Sequence, residues 1–222
     1  MNEPQWLTVS LLSDTTFAAG GGTAGEVDIE IDHDDLGLPR IRGKRIRSLL
    51  RDTWLSMRDL FELDDAAERI FGPPGDVEER SILRFRTAEL EEEVRKHVHH
   101  AVKRKDHAVE PLEILRTLTA IRVQTSEERE TGAPELGSLR SSRVARHGLL
   151  FHSQLDWLDE PSADDRTCLA LAVLGTRHAG LARNRGRGWV EILLHEAPPV
   201  SAPGAIEAGR KLTRRLAGAE AS

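Results

Sequence analysis

The segment from residue 20 to residue 51, GGGTAGEVDIEIDHDDLGLPRIRGKRIRSLLR, constrains the fold of this chain most, because three local patterns of different period follow one another within it. Gly20, Gly21, Gly22 and Gly25 make a loop whose backbone can take positive φ and lie close against a neighbour. Residues 26–32 alternate with a period of two, Val27, Ile29 and Ile31 against Glu26, Asp28, Glu30 and Asp32. That is the pattern of a half-buried strand or an extended loop edge. After a Gly37-Leu38-Pro39 turn, the period becomes that of a helix, from about Lys44 to Leu63. Ile46, Leu49, Leu50, Trp54, Met57, Leu60 and Phe61 form its apolar stripe, with Arg45, Arg47, Arg51 and Arg58 mostly off it.

The rest of the chain supplies partners for this unit. Residues 5–12 (QWLTVSLL) read as a strand. Phe71-Gly72-Pro73-Pro74-Gly75 breaks the chain, and Ile82–Arg86 reads as a short strand. Residues 88–108 are polar and helix-prone, and 112–123 form a mixed apolar segment. Residues 124–141, with Gly132, Pro134 and Gly137, read as a mobile loop or projecting arm. A second strand pattern spans His147 to Trp157, a helix 165–179, and a last strand Trp189 to Leu194. The order β, loop, α, β, insertion, β, α, β fits an α+β domain, an antiparallel sheet backed by two helices, close to the ferredoxin-like pattern.

Charge points to a partner. The 222 residues carry a net charge of −6, yet Arg40, Arg42, Lys44, Arg45, Arg47 and Arg51 lie within twelve residues that hold no acid. A basic window set against an acidic background is the footprint of a polyanion site. Gly43 stands where a helix N-terminus presents N–H groups, and cations around such an end suit a phosphate. The plainer alternative is a solvated basic face. A second cationic stretch, GLARNRGRG at 180–188, offers Arg183, Arg185 and Arg187 between flexible residues, able to grip a phosphate chain bidentately. Alone, such a loop can be a simple connector; two basic patches in one chain favour a nucleic-acid surface. Tyr is absent and aromatics are 4%, so phosphate contacts rather than base stacking should carry the affinity.

Asp28, Glu30, Asp32, Asp34 and Asp35 could hold Mg²⁺ or assist proton transfer beside such a surface. Spacing alone favours the plainer reading, the exposed face of an alternating strand. His97, His99, His100 and His107 lie among Lys96, Lys103, Arg104 and Lys105, which argues for an exposed polar helix over a zinc site. Cys168 is the single cysteine, expected as core filler; no internal disulfide is possible, and a reducing cytoplasm fits. No apolar run approaches the ~20 residues of a membrane span, and MNEPQWLTVSLLSD does not read as a signal peptide. No Gly-x-Ser-x-Gly, P-loop or Cys-x-x-Cys motif occurs.

Four segments, in order, carry a resemblance: LLSDTTFAAGGGTAGEVDIEIDHDDLGLPRIRGKRIRSLLRDTW; IFGPPG followed by ILRFRTAEL; TLTAIRVQTSEERETGAPELGSLRSSRVARHGLLFHSQL; and GLARNRGRGWVEILL. Together they resemble the RAMP superfamily of CRISPR-associated proteins, and more narrowly the backbone subunits of type III effector complexes. Ile41-Arg42-Gly43 stands here for the family's Ile-Pro-Gly, and Ser48 for a glycine. The resemblance implies an RRM-like palm over residues 1–200 with an insertion around 64–142 and a tail, 201–222; the Ala-, Gly- and Pro-rich composition after Pro198 leaves room for a terminal helix at 204–217. It implies binding of a CRISPR guide RNA, pairing with a complementary target RNA, and stacking with copies of itself and other effector subunits. By the same resemblance Asp28 matches the loop aspartate that cleaves target RNA with a divalent metal, Mg²⁺ in first place, and Asp34 a second acidic position of that loop. Guide binding falls to Gly43, Lys44, Arg45, Arg47 and Arg51 and to the 180–188 loop. Two alternatives stay open: a non-catalytic scaffold of the same assembly, and a protein-interaction module without RNA.

Overall fold

The computed structural model describes residues 3–73, 80–104, 108–125, 130, 138–200 and 203–219. In chain order its elements are β1 (Trp6–Leu11), α1 (Gly43–Met57), α2 (Asp64–Phe71), β2 (Leu83–Phe85), β3 (Glu89–Leu90), α3 (Glu92–Val102), α4 (Pro111–Leu118), β4 (Thr119–Gln124), β5 (Arg140–Ala145), β6 (Leu150–Trp157), α5 (Ala163–Gly175), β7 (Val190–His195) and α6 (Pro203–Leu216). Short 3-10 turns lie at Arg58–Leu60 and Arg183–Arg185.

The main sheet is antiparallel throughout, in the order β2-β6-β1-β7, with β3 also on β6. The last strand thus lies beside the first, and α1 and α5 are the two crossover helices. This is the expected ferredoxin-like palm. Leu7, Val9 and Leu11 of β1 share one sheet face with Phe151, Leu155, Ile192 and Leu194. That face meets Ile46, Leu50 and Trp54 of α1 and Cys168, Leu169, Ala172 and Val173 of α5, all buried. Each large side chain buried there stabilises the fold by about 1.5–3 kcal/mol.

Several boundaries differ from the sequence reading. The α1 helix stops at Met57, not Leu63. Phe61 returns from a turn to stack on Trp54 at 6.0 Å, while Leu60 is left 76% exposed, so the stripe ends before its last two members. An unanticipated helix, α2, follows, and its Arg69 bonds Asp165 at 3.2 Å. Asp165 is fully buried, and it also closes a capping box with Ser162 at the start of α5, which satisfies its carboxylate there. The α5 helix ends at Gly175, four residues early, where a Cβ would stand 3.0 Å from Thr53 and Met57 of α1.

Residues 112–123 divide into α4 and β4, and part of the expected arm is strand. β4 pairs with β5 from Thr119↔Ala145 to Gln124↔Arg140, making a two-stranded ribbon. Gly132, Pro134 and Gly137 lie outside the described residues, as does His107. His97, His99 and His100 are exposed on α3. The α6 helix covers the outer edge of β7, where Thr213 Oγ1 accepts a 2.9 Å bond from the Leu194 amide. Among the described residues, no helix is long and apolar enough to cross a membrane.

Candidate functional site

A five-residue seam, 14–18, gathers the segments singled out above. Thr15 exchanges backbone bonds with Ala145 of the ribbon at 3.0 and 2.8 Å. The Thr16 carbonyl accepts from the Leu181 amide at 3.1 Å, and a Cβ on Gly180 would lie 2.5 Å from that same oxygen. Only a glycine at φ +76° lets the 180–188 loop approach so closely. Ala18 bridges to Ile31 of the acidic segment, and its carbonyl accepts from Arg45 at 2.6 Å. Asp14 accepts from Arg122 of β4 at 2.6 Å and from the His147 amide at 3.1 Å. Burial would raise the Asp14 pKa, but these donors outweigh it and hold the carboxyl below its usual range.

The acidic segment is an extended edge of the ribbon rather than an independent strand. Ile29 donates to Ser141 O at 3.1 Å and accepts from the Arg143 amide at 2.9 Å. Its carboxylates do not form one exposed face, contrary to the alternating pattern. Glu30 and Asp32 are buried. Arg143, 1% exposed, reaches Glu30 at 2.8 Å and Glu26 at 2.7 Å. Asp32 takes Arg40 at 3.0 Å and also Arg42. Burial pushes Asp32 upward, and the two arginines overcome it to hold its carboxyl low.

Asp28 behaves differently. It is exposed, and its Oδ2 accepts from the Ser141 amide at 2.6 Å and the Ser141 hydroxyl at 3.0 Å. The backbone bond, then the hydroxyl, lowers its pKa, so it is ionised throughout the neutral range. Asp34 Oδ1 instead accepts from the Leu36 and Leu38 amides at 2.9 Å each, fixing the Gly-Leu-Pro turn that leads to α1.

At the start of α1, no side chain caps the helix and no acid lies in its first turn. Gly43 is packed on β2: a Cβ there would fall 1.7 Å from the Phe85 carbonyl oxygen. Beside it opens a hollow of about 230 Å³ lined by Lys44 and Arg47, by Arg84 and Arg86 around β2, and by Asp156, which pairs with Arg86. Arg51 lies elsewhere, in the crevice between α1 and α2 with Arg58 and Asp64. The structure therefore groups Gly43, Lys44 and Arg47, sets Arg45 on the seam, and separates Arg51.

Arg183 and Arg185 are exposed on the 3-10 turn. It is framed by Ala182 at φ 58° and Gly186 at φ +71°, and a non-glycine residue in that region is uncommon. Arg187 bends back to the ribbon, where the Gln124 side-chain oxygen, oriented to satisfy both groups, accepts from it at 2.8 and 3.1 Å. Burial, then the nearby Arg122 and Arg185 charges, lowers the Arg187 pKa. The Asp14 carboxylate, paired with Arg122, offsets part of that lowering. Arg122, Arg84, Arg86 and Ser141 were not anticipated. Arg122 sits in an alternating stretch, AIRVQ, whose period hinted at strand, but its contact with residue 14 lies 108 positions away.

No group of three His, Cys, Asp or Glu side chains among the described residues could hold a metal ion. Glu26, Glu30 and Asp32 are already engaged by arginines. Asp28 is exposed, and both Ser141 bonds fall on its Oδ2.

A family model described as the RAMP superfamily matches residues 8–191. The chain belongs to the RAMP superfamily. Its fold is similar to a chain of a cryo-EM structure of the type III-B Cmr-beta complex bound to cognate target RNA, with 12% identity and a TM-score of 0.62. That alignment covers 85% of this chain and 95% of the other. A chain of the apo-state Cmr-beta structure is similar at 14% identity and a TM-score of 0.62, covering 86% and 96%. No curated protein gives a significant match.

Proposed function

We propose that this RAMP protein is an RNA-binding subunit of a type III CRISPR effector complex. It holds guide RNA on the Lys44–Arg47 hollow and the 180–188 loop, and cleaves a complementary target RNA beside Asp28. The observation that carries this reading is the 14–18 seam, which ties Arg45, the Arg183–Arg187 loop, the ribbon and the Asp28 segment to one short stretch of chain. Family membership and the similar Cmr-beta chains support it, one of them from a structure bound to target RNA. Further copies of this chain and other effector subunits are the remaining partners.

In the proposed reaction a 2′-hydroxyl attacks the adjacent phosphate. The 2′-oxygen–phosphorus bond forms as the 2′-hydroxyl proton passes to solvent water, and the bond to the 5′-oxygen breaks as that oxygen takes a proton from solvent water, leaving a 2′,3′-cyclic phosphate and a 5′-hydroxyl. A carboxylate with a lowered pKa is a weak proton acceptor at neutral pH, so Asp28 is better suited to hold a divalent cation than to serve as the base. The cation, when bound, neutralises charge building on the phosphate. Arg185 and its neighbours position the RNA backbone, and Ser141 holds Asp28 toward it. Asp34 contributes through the turn it fixes.

One observation favours the non-catalytic scaffold as a second reading: both Ser141 bonds to Asp28 also serve to dock the acidic segment on the ribbon. The protein expressed with its neighbouring subunits should co-purify with discrete RNase-sensitive bands. Asp28→Ala should then abolish cleavage of a complementary RNA and leave RNA affinity within about twofold. Cleavage unchanged in Asp28→Ala selects the scaffold. A complex that neither carries RNA nor binds it at low salt overturns both readings.

A further inference from the structure

With aromatics at 4%, the composition offers little for base stacking, yet the structure sets one indole at the surface beside the Arg183–Arg187 loop. Trp189 is 48% exposed. It follows Arg187 and Gly188 directly, and Gly188 packs so closely on Ala179 that a Cβ would lie 2.1 Å from its carbonyl oxygen.

The Trp189 backbone is fixed on both sides. Its carbonyl accepts from the Leu12 and Ser13 amides at 2.8 and 3.2 Å, and its amide donates to Ser13 Oγ at 2.9 Å. It also bridges to His178. The His178 ring stands 4.2 Å from the indole, tilted by 51°, and supports it from one side. Leu12, whose amide pairs with the Trp189 carbonyl, is 60% exposed. The result is a half-exposed indole with a fixed backbone, flanked by Leu12 and directly following the Arg183–Arg187 loop. A large aromatic held in place before binding loses little conformational freedom when a partner stacks on it.

We propose that Trp189, buttressed by His178, is a stacking platform for one unpaired base of the RNA whose phosphates the 180–188 loop holds. This rests on the RNA-binding reading above. Single-stranded RNA is the occupant that the neighbouring charge favours, since every base has a π-face and its backbone complements Arg183, Arg185 and Arg187. The platform supplies contact without reading sequence.

The test compares the wild-type chain with Trp189→Phe and Trp189→Ala, using a single-stranded oligouridylate of about ten residues, the same oligomer with abasic positions, and inorganic polyphosphate. On binding the oligouridylate, wild-type tryptophan emission is quenched, and most of the quench vanishes in Trp189→Phe. Polyphosphate binds without that quench. Trp189→Ala lowers oligouridylate affinity about tenfold, while the dependence of affinity on salt keeps its slope, because no phosphate contact is lost. Trp189→Phe retains affinity within about threefold, and the abasic oligomer no longer distinguishes wild type from Trp189→Ala. RNA binding with equal quenching in wild type and Trp189→Phe overturns the platform and leaves the function reading intact, and this comparison stands even if Trp189→Ala fails to fold. Unchanged RNA affinity in Trp189→Ala together with loss of self-association also overturns it, and makes the indole a contact between copies. Absence of any RNA binding by the wild type removes the function reading and the platform with it.

Discussion

Arg143→Met tests whether the acidic segment and the ribbon are one mechanical unit. Arg143 lies on β5 with 1% exposure. It donates to Glu30 at 2.8 Å and Glu26 at 2.7 Å, and its backbone amide donates to Ile29 at 2.9 Å. Methionine fills much of the space but removes the charge. Breaking a buried pair from one side costs about 3–5 kcal/mol, because the remaining charge is stranded. The Glu26 side chain is 25% exposed and can turn to water, and it keeps Arg116 at 2.7 Å. The Glu30 side chain is 11% exposed and keeps only the Thr23 hydroxyl at 3.0 Å and the Ile31 amide at 2.9 Å. The loss therefore sits near the lower end, about 3 kcal/mol.

Urea unfolding followed by circular dichroism measures it. With a slope of about 2–3 kcal/mol per molar, the midpoint falls by about 1–1.5 M. Adding Glu30→Gln to Arg143→Met removes the stranded charge and returns at least about 1 kcal/mol, a coupling that a double-mutant cycle reads directly. Hydrogen exchange at the Asp28, Ile29 and Arg143 amides speeds up in the single variant. RNA affinity, set by cations outside this network, stays within about twofold, whereas target cleavage falls more than tenfold as Asp28 loses its mount. A midpoint drop below about 0.3 M, or a double variant no more stable than the single, refutes the latch.

Three further outcomes follow from individual contacts. Burial pulls the His195 pKa down to about 4, with the His152 charge adding to it, below the ordinary value of 6.5. The unfolded chain therefore takes up a proton first on acidification. Stability is full above about pH 6.5 and declines by about 3 kcal/mol as pH falls to about 4, a slope that His195→Asn should flatten in urea midpoints taken across that range. Gly43→Ala drives a Cβ toward the Phe85 carbonyl oxygen, 1.7 Å away, and should lower the melting temperature by about 6–12 °C in the absence of RNA, which separates its packing role from any phosphate contact. Chelation of divalent cations should stop target cleavage and spare RNA binding, with Mg²⁺ restoring the rate; cleavage that continues in excess chelator removes the metal from the proposal.

The palm was legible because its signals are local. The α1 stripe of Ile46, Leu50 and Trp54 and the alternation of Leu7, Val9 and Leu11 each repeat within one element, and the ordered motifs carried the family. The ribbon was not, because β5 reads RSSRVA, with three polar residues first and a charged one, Arg143, buried ahead of Val144 and Ala145. Arg143 is buried only because Glu30, 113 positions away, comes to meet it, and no window of neighbouring residues contains both. The same reason hid Glu30 and Asp32: the alternation shows that carboxylates share a side, and says nothing of which arginines the other side of the fold supplies. Trp189 was overlooked for the opposite reason. Its strand pattern is ordinary, and only the turn at Gly186 and Gly188 leaves the first aromatic of that strand at the surface.

The net charge of −6 and the proposal of an RNA surface are reconciled by the same pairing. Counting charges treats every arginine alike, but Arg40, Arg42, Arg116, Arg122 and Arg143 are bound to Asp32, Glu26, Asp14 and Glu30. These pairs build the scaffold and add almost nothing to the field that a polyanion meets. Among the described residues, Arg47, Arg183 and Arg185 form no ion pair with a carboxylate, and they lie on the hollow and the loop. On the proposed reading, RNA affinity follows these unpaired cations rather than the sum over the chain. The acidic surface limits adhesion to arbitrary nucleic acid by repulsion that acts within about a Debye length, about 8 Å at physiological salt. The proposal therefore expects RNA contact where the fold presents cations without their carboxylates.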